Sequence, residues 1–130
     1  MGVGQRLREH KPDIQVYGVE PRPGESLQGL RSLEEGYRPP LLDLNMLNGR
    51  FLVDSMAAFV CVRRLVESEG ICAGFSSGAV LHAARRLAGR MERGNIVVTL
   101  ADSGWKYVNT DVWMQGPESL PPNLDDTHWW

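Results

Sequence analysis

The sequence predicts an α/β protein built on a parallel sheet, and three observations carry this reading. Residues 14–19 and 51–53 are short runs of strand-forming residues. Two segments after them, one from Met56 and one from Ser76, repeat apolar residues with the 3.6-residue period of a helix. Finally, Asn95-Ile96-Val97-Val98-Thr99-Leu100 is a continuous apolar run of the kind found in a strand covered on both faces.

The elements follow in order. Met1 to His10 reads as a helix with Val3 and Leu7 inward at i, i+4 and Arg6 and Arg8 outward; no strand precedes it, as in a piece of a larger unit. Lys11-Pro12-Asp13 stops it, Ile14 to Val19 alternates as a strand, and Pro21 and Pro23 close that strand. Residues 22–42 are punctuated by glycine and proline, which makes them a candidate lid or recognition loop. Phe51-Leu52-Val53 leads into a helix on which Met56, Phe59 and Val60 separate from Arg63 and Arg64, and Gly70 ends it. In the second helix, Val80, Ala84, Leu87 and Met91 share a face, and Arg85, Arg86 and Arg90 lie away from it.

Composition narrows the function classes. A chain of 130 residues has room for one domain that buries roughly two-thirds of its unfolded surface. Its net charge of -2 gives no global attraction to nucleic acid or to an anionic membrane. No apolar run approaches the roughly 20 residues of a membrane span, and the N-terminus lacks the apolar core of a signal peptide. Cys61 and Cys72 have no CxxC spacing, and His10, His82 and His128 are scattered. Two buried, reduced thiols in a cytoplasmic protein are expected, with neither a metal site nor a disulfide.

Three places gather polar groups. Gly74-Phe75-Ser76-Ser77-Gly78 turns an extended segment into a helix N-terminus; its serines are either helix caps or ligands for a bound group. Ala101-Asp102-Ser103-Gly104 follows the last predicted strand, at the carboxyl end where open α/β sheets bind ligands. Arg31 lies on the long loop, as a solvated charge or an anion-recognising one. A dinucleotide fingerprint is imitated by Gly2-Val3-Gly4 and Glu20, but it fails because Leu7 occupies the third glycine position and no strand precedes.

Taken together, Met1 to Glu9, Tyr17-Gly18-Val19-Glu20-Pro21, Glu69 to Ala79, Asn95 to Val98 and Asp102-Ser103-Gly104-Trp105-Lys106-Tyr107 resemble the C-terminal part of a cysteine synthase. These are pyridoxal-phosphate enzymes of the tryptophan-synthase-β-like fold, also called fold type II. The resemblance implies that residues 1–113 are the C-terminal portion of the cofactor-binding domain, and that 114–130, ending in His128-Trp129-Trp130, are a tail able to close over the site. It implies pyridoxal 5'-phosphate as cofactor and a β-replacement on an activated serine with a sulfur donor, either sulfide or a protein thiocarboxylate. A homodimer is implied for the intact protein.

By the same resemblance, Ser76 hydrogen-bonds the cofactor's pyridine nitrogen, Gly74 and Ser103 line the pocket, and Arg31 binds substrate. The stretch Gly29-Leu30-Arg31-Ser32-Leu33-Glu34-Glu35-Gly36 is similar to the actinobacterial branch that uses O-phosphoserine rather than O-acetylserine, where a guanidinium fork suits a phosphate.

The chain departs from the family in three respects. Its only lysines are Lys11 and Lys106, and neither occupies the place of the family's Schiff-base lysine, so no catalytic residue is assigned in this chain. Phe75 stands where a smaller aliphatic is usual, and Leu52-Val53-Asp54 lacks a glycine often found there. The isolated chain is therefore expected not to catalyse. The alternative is a non-catalytic homologue that acts as an interaction partner of a full-length synthase.

Overall fold

The computed structural model describes residues 1–109 and Trp113. The elements run α1 (Gly2–His10), β1 (Tyr17–Pro21), β2 (Gly49–Val53), α2 (Ser55–Glu69) and α3 (Phe75–Ala88), with 3-10 turns at Leu33–Glu35, Leu44–Met46 and Gly104–Tyr107. The α/β class is as the sequence predicts. β1 and β2 pair in parallel, with Tyr17 opposite Gly49 and Pro21 opposite Val53. Parallel strands need a long crossover, and here residues 22–48 supply it with turns and no α-helix.

The first strand starts three residues later than the sequence pattern suggests. The Asn48 side chain takes the Val16 N–H at 2.8 Å, while the Val16 carbonyl accepts the Asn48 N–H at 2.7 Å, so a side chain replaces the ladder at that point. On α1, Val3 and Leu7 are exposed rather than inward; the helix turns Gly4 inward against Val16 and Met46.

Asp54 starts α2 by accepting the Ala57 N–H at 2.7 Å. Gly70, at φ 69°, ends it in the left-handed conformation that glycine adopts without cost. Its buried face is Ser55, Ala58, Phe59, Cys61 and Val62. α3 lies against that face so closely that a Cβ on Gly78 would collide with the Ala58 carbonyl oxygen and sit 3.2 Å from the Val62 Cβ. The buried stripe of α3 is Phe75, Ala79 and Ala83, spaced i, i+4, i+8. The expected stripe of Val80, Ala84, Leu87 and Met91 lies one position round the helix, and Met91 falls beyond its end. Small residues win the contact face because the two backbones are too close for larger ones.

The core joins Leu27, Phe51, Val53, Ala58, Phe59, Val62, Ala73, Phe75, Ala79 and Ala83. Phe59 and Phe75 lie 6.1 Å apart, and Trp113 packs near both. Two expectations are corrected here. Cys72 is exposed, so only Cys61 is a buried thiol. Residues 95–100 form no strand, and Val97 is 93% exposed. A strand covered on both faces needs neighbours, and among the described residues the sheet's two strands pair only with each other. The tail assigned to 114–130 lies outside the described residues.

Candidate functional site

The first turn of α3 is where the predicted site residues meet. Gly74 is its N-cap residue, and its carbonyl accepts the Ser77 N–H at 3.1 Å and the Gly78 N–H at 3.4 Å. The capping role considered for the serines is therefore taken by Gly74 without any side-chain bond, which leaves both hydroxyls inside the first turn. Ser76 is 9% exposed and Ser77 1% exposed. The Ser77 hydroxyl has no hydrogen-bond partner, and the Ser76 hydroxyl makes no hydrogen bond among the described residues.

The second wall is the segment that follows residue 100. Ala73 and Ser103 form an antiparallel bridge, flanked by Gly74 N–H to the Asp102 carbonyl (3.1 Å) and Gly104 N–H to the Cys72 carbonyl (3.0 Å). Both glycines are required by contact. A Cβ on Gly74 would collide with the Asp102 carboxylate and lie 2.9 Å from the Tyr107 ring, and one on Gly104 would lie 2.5 Å from the Cys72 sulfur. Ser103 is exposed, and among the described residues its hydroxyl reaches only the Cys72 carbonyl, at 3.5 Å, so it sits on the rim of the site.

Asp102 is the residue of this segment that turns inward. Its Oδ2 accepts the Tyr107 hydroxyl at 2.7 Å and faces Lys106 Nζ at 3.6 Å. Its Oδ1 is buried without a hydrogen-bond partner among the described residues. Burial, then the hydrogen bond to Asp102 and its charge, pushes the Tyr107 hydroxyl from 10.0 up to about 12. The Tyr107 ring lies against Phe75 with centroids 4.8 Å apart.

The third wall is the loop after β1. Gly29 has φ +83°, and the position of its missing Cβ is 3.4 Å from both Cβ and Oγ of Ser76. A left-handed residue in van der Waals contact with the candidate serine calls for glycine. Next to it, Gln28 carries a buried side-chain oxygen without a partner.

This loop is pinned rather than loose. Glu25 accepts the Ser55 N–H at 2.7 Å, and Ser32 is 1% exposed. Glu20, 5% exposed, accepts the Leu33 N–H at 2.7 Å and Arg50 Nη1 at 2.6 Å. Arg31 therefore stands on an anchored base. Its own side chain is 64% exposed, donates to Glu35 at 3.1 Å and lies 5.6 Å over the Tyr37 ring.

Thus Gly74 and Ser76 come together and Gly29 joins them, Ser103 stays at the rim, and Arg31 lies on the same loop without a direct contact to Ser76. Sequence reasoning missed Asp102 and Tyr107, although both lie in a quoted motif, and it missed Gln28. The available signal was a charged residue and a tyrosine five apart beside a glycine-rich turn.

These residues leave hydrogen-bonding capacity beside the first turn of α3. Ser77, Gln28 and Asp102 each carry a buried oxygen without a hydrogen-bond partner among the described residues, a departure from the usual satisfaction of buried polar groups that calls for an explanation. Among the described residues no helix is long and apolar enough to cross a membrane.

Comparison with known proteins agrees. Residues 1–102 match the family model described as pyridoxal-phosphate dependent enzyme. The chain is 38% identical over 115 residues to a cysteine synthase of Aquifex aeolicus, covering 85% of this chain and 35% of that protein. It superposes on a crystal structure of the Entamoeba histolytica cysteine synthase with a TM-score of 0.79 at 25% identity, covering 88% of this chain and 37% of that one. For O-ureido-L-serine synthase the TM-score is 0.77 at 28% identity, covering 97% and 41%. The chain thus spans well under half the length of these relatives. It belongs to the pyridoxal-phosphate-dependent enzymes, within the fold-type-II group that contains the cysteine synthases.

Proposed function

We propose that this chain supplies part of the cofactor and substrate site of a cysteine-forming enzyme, one that replaces the leaving group of an activated serine with sulfur. The observation that carries this reading is the Ser76 hydroxyl, buried in the first turn of α3, making no hydrogen bond among the described residues and flanked by Gly29 and Gly74. Pyridoxal phosphate, when bound, supplies the electron sink for bond breaking next to the amino acid's α-carbon. Ser76 would donate a hydrogen bond to the pyridine nitrogen and keep its proton, since an aliphatic alcohol is far too weak an acid to transfer it. Gly74, packed against Asp102, would line the pocket, and Ser103 would line the rim.

Arg31 would bind the substrate's leaving group. A planar guanidinium matches a phosphate's paired oxygens, whereas an acetyl ester offers it no charge, so O-phosphoserine is the preferred substrate in this reading. Glu35 now holds the Arg31 Nε, and a phosphate would displace it. Sulfide or a protein thiocarboxylate would be the donor, and a homodimer the intact form. The two free thiols support a reducing, cytoplasmic setting.

Lys11 pairs with Asp13 and Lys106 with Asp102, so both lysines are engaged at the surface. That favours a chain which needs a partner segment to catalyse, and it equally supports the second reading, a non-catalytic partner of a full-length synthase. The test is a fluorescence titration of the chain with pyridoxal phosphate. Saturable binding that weakens about tenfold in Ser76→Ala supports the assignment, the size expected when a hydrogen bond of about 1.4 kcal/mol is lost. Equal binding by both proteins overturns it.

A further inference from the structure

We infer that Asp102 is a positioning residue for Ser76; this rests on the reading of Ser76 given above. Two of Asp102's groups act on Gly74, two residues before Ser76. Its carbonyl accepts the Gly74 N–H at 3.1 Å, and the Gly74 carbonyl in turn receives the first helical bonds of α3, from Ser77 and Gly78. Its carboxylate occupies the space where a Cβ on Gly74 would stand, with Cγ 2.8 Å from that position.

The carboxylate is itself held. Tyr107 donates to Oδ2 at 2.7 Å, and the same tyrosine ring packs on Phe75. Asp102 and Tyr107 thus hold Gly74 and Phe75, while a Cβ on Gly29 would lie 3.4 Å from the Ser76 side chain. These contacts fix the backbone from which the Ser76 side chain projects, and no hydrogen bond of its own among the described residues adds to them. The buried, unpartnered Oδ1 argues against a role in stability alone, because a buried acceptor without a donor costs the fold free energy.

The experiment compares the 130-residue chain with its Asp102→Ala, Asp102→Asn and Tyr107→Phe variants by amide hydrogen exchange, followed by pyridoxal-phosphate titration. Local loosening predicts that the Gly74, Ser77 and Gly78 amides exchange about tenfold faster in Asp102→Ala and Tyr107→Phe, while amides of Ala58–Val62 in α2 change less than about twofold. Asparagine keeps an acceptor for the Tyr107 hydroxyl and should restore exchange to within about threefold of wild type.

In the titration, Asp102→Ala should lower affinity about fivefold in the wild-type background and leave it unchanged in a Ser76→Ala background, because a positioning residue acts through the residue it positions. Equal acceleration in both helices, unchanged exchange at Gly74–Gly78, or the same loss of affinity in both backgrounds overturns the inference. If Ser76→Ala alone leaves affinity unchanged, the reading of Ser76 fails, and the exchange data still decide whether Asp102 holds the turn.

Discussion

Gly78 is the tightest point between the two long helices, and replacing it with alanine measures that closeness. A Cβ there would collide with the Ala58 carbonyl oxygen, lie 2.8 Å from the Ala58 carbonyl carbon and 3.2 Å from the Val62 Cβ. Two of these three atoms are backbone within α2, so the helices must part for the methyl to fit. Overpacking of a tight core costs about 1–3 kcal/mol, and an obstruction formed by backbone belongs at the upper end. Alanine in place of a helical glycine returns up to about 1 kcal/mol through propensity. The net loss is about 2 kcal/mol.

For a chain of this length, that lowers the melting temperature by roughly 6–10 °C. Gly89→Ala is the internal control. There the nearest atoms are 3.7 and 3.8 Å from the new methyl, at φ -65°, so only the gain remains, about 0.4–1 kcal/mol. Thermal melts followed by circular dichroism separate the two. A Gly78→Ala protein as stable as wild type would refute the helix contact that places Ser76 and Ser77.

Three further outcomes follow from the site. Because the folded Tyr107 hydroxyl titrates near 12 rather than 10.0, the neutral form is favoured by folding. Its contribution is complete below about pH 10 and lost between about 10 and 12, and Tyr107→Phe should flatten stability across that window in pH-dependent denaturation. Glu20→Ala strands the Leu33 N–H and Arg50, and should cost about 1–3 kcal/mol in urea unfolding. Arg31→Ala, which loses an exposed ion pair and the exposed stacking on Tyr37, should change stability by less than about 1 kcal/mol yet weaken O-phosphoserine binding about tenfold in calorimetric titration; O-acetylserine should change less than about twofold.

Elements whose cause is local were legible in the sequence. Asp54 and Gly70 bracket α2, and Pro12 stands just past α1, because caps and breakers act within a few residues. What escaped was set by distant partners. Ser76 and Ser77 look like caps until Gly74 is seen to hold that position, and the face of α3 is decided by the approach of Ala58, not by its own periodicity. The 95–100 run reads as a strand buried on both faces, but it is neither a strand nor buried, because a strand exists only with neighbours to pair with. At the site, Ser76 was found by resemblance. Asp102 emerged only when the bridge between Ala73 and Ser103 placed its carboxylate against Gly74.

The central claim is that the Ser76 hydroxyl meets the pyridine nitrogen of the cofactor, and the nitrogen-15 shift of labelled pyridoxal phosphate bound to this chain reports on that contact directly. A hydroxyl partner predicts a neutral, hydrogen-bonded pyridine in wild type and a shift toward the protonated position in Ser76→Asp, because a carboxylate stabilises the pyridinium. A bound cofactor whose nitrogen signal is the same in wild type, Ser76→Ala and Ser76→Asp would contradict the account.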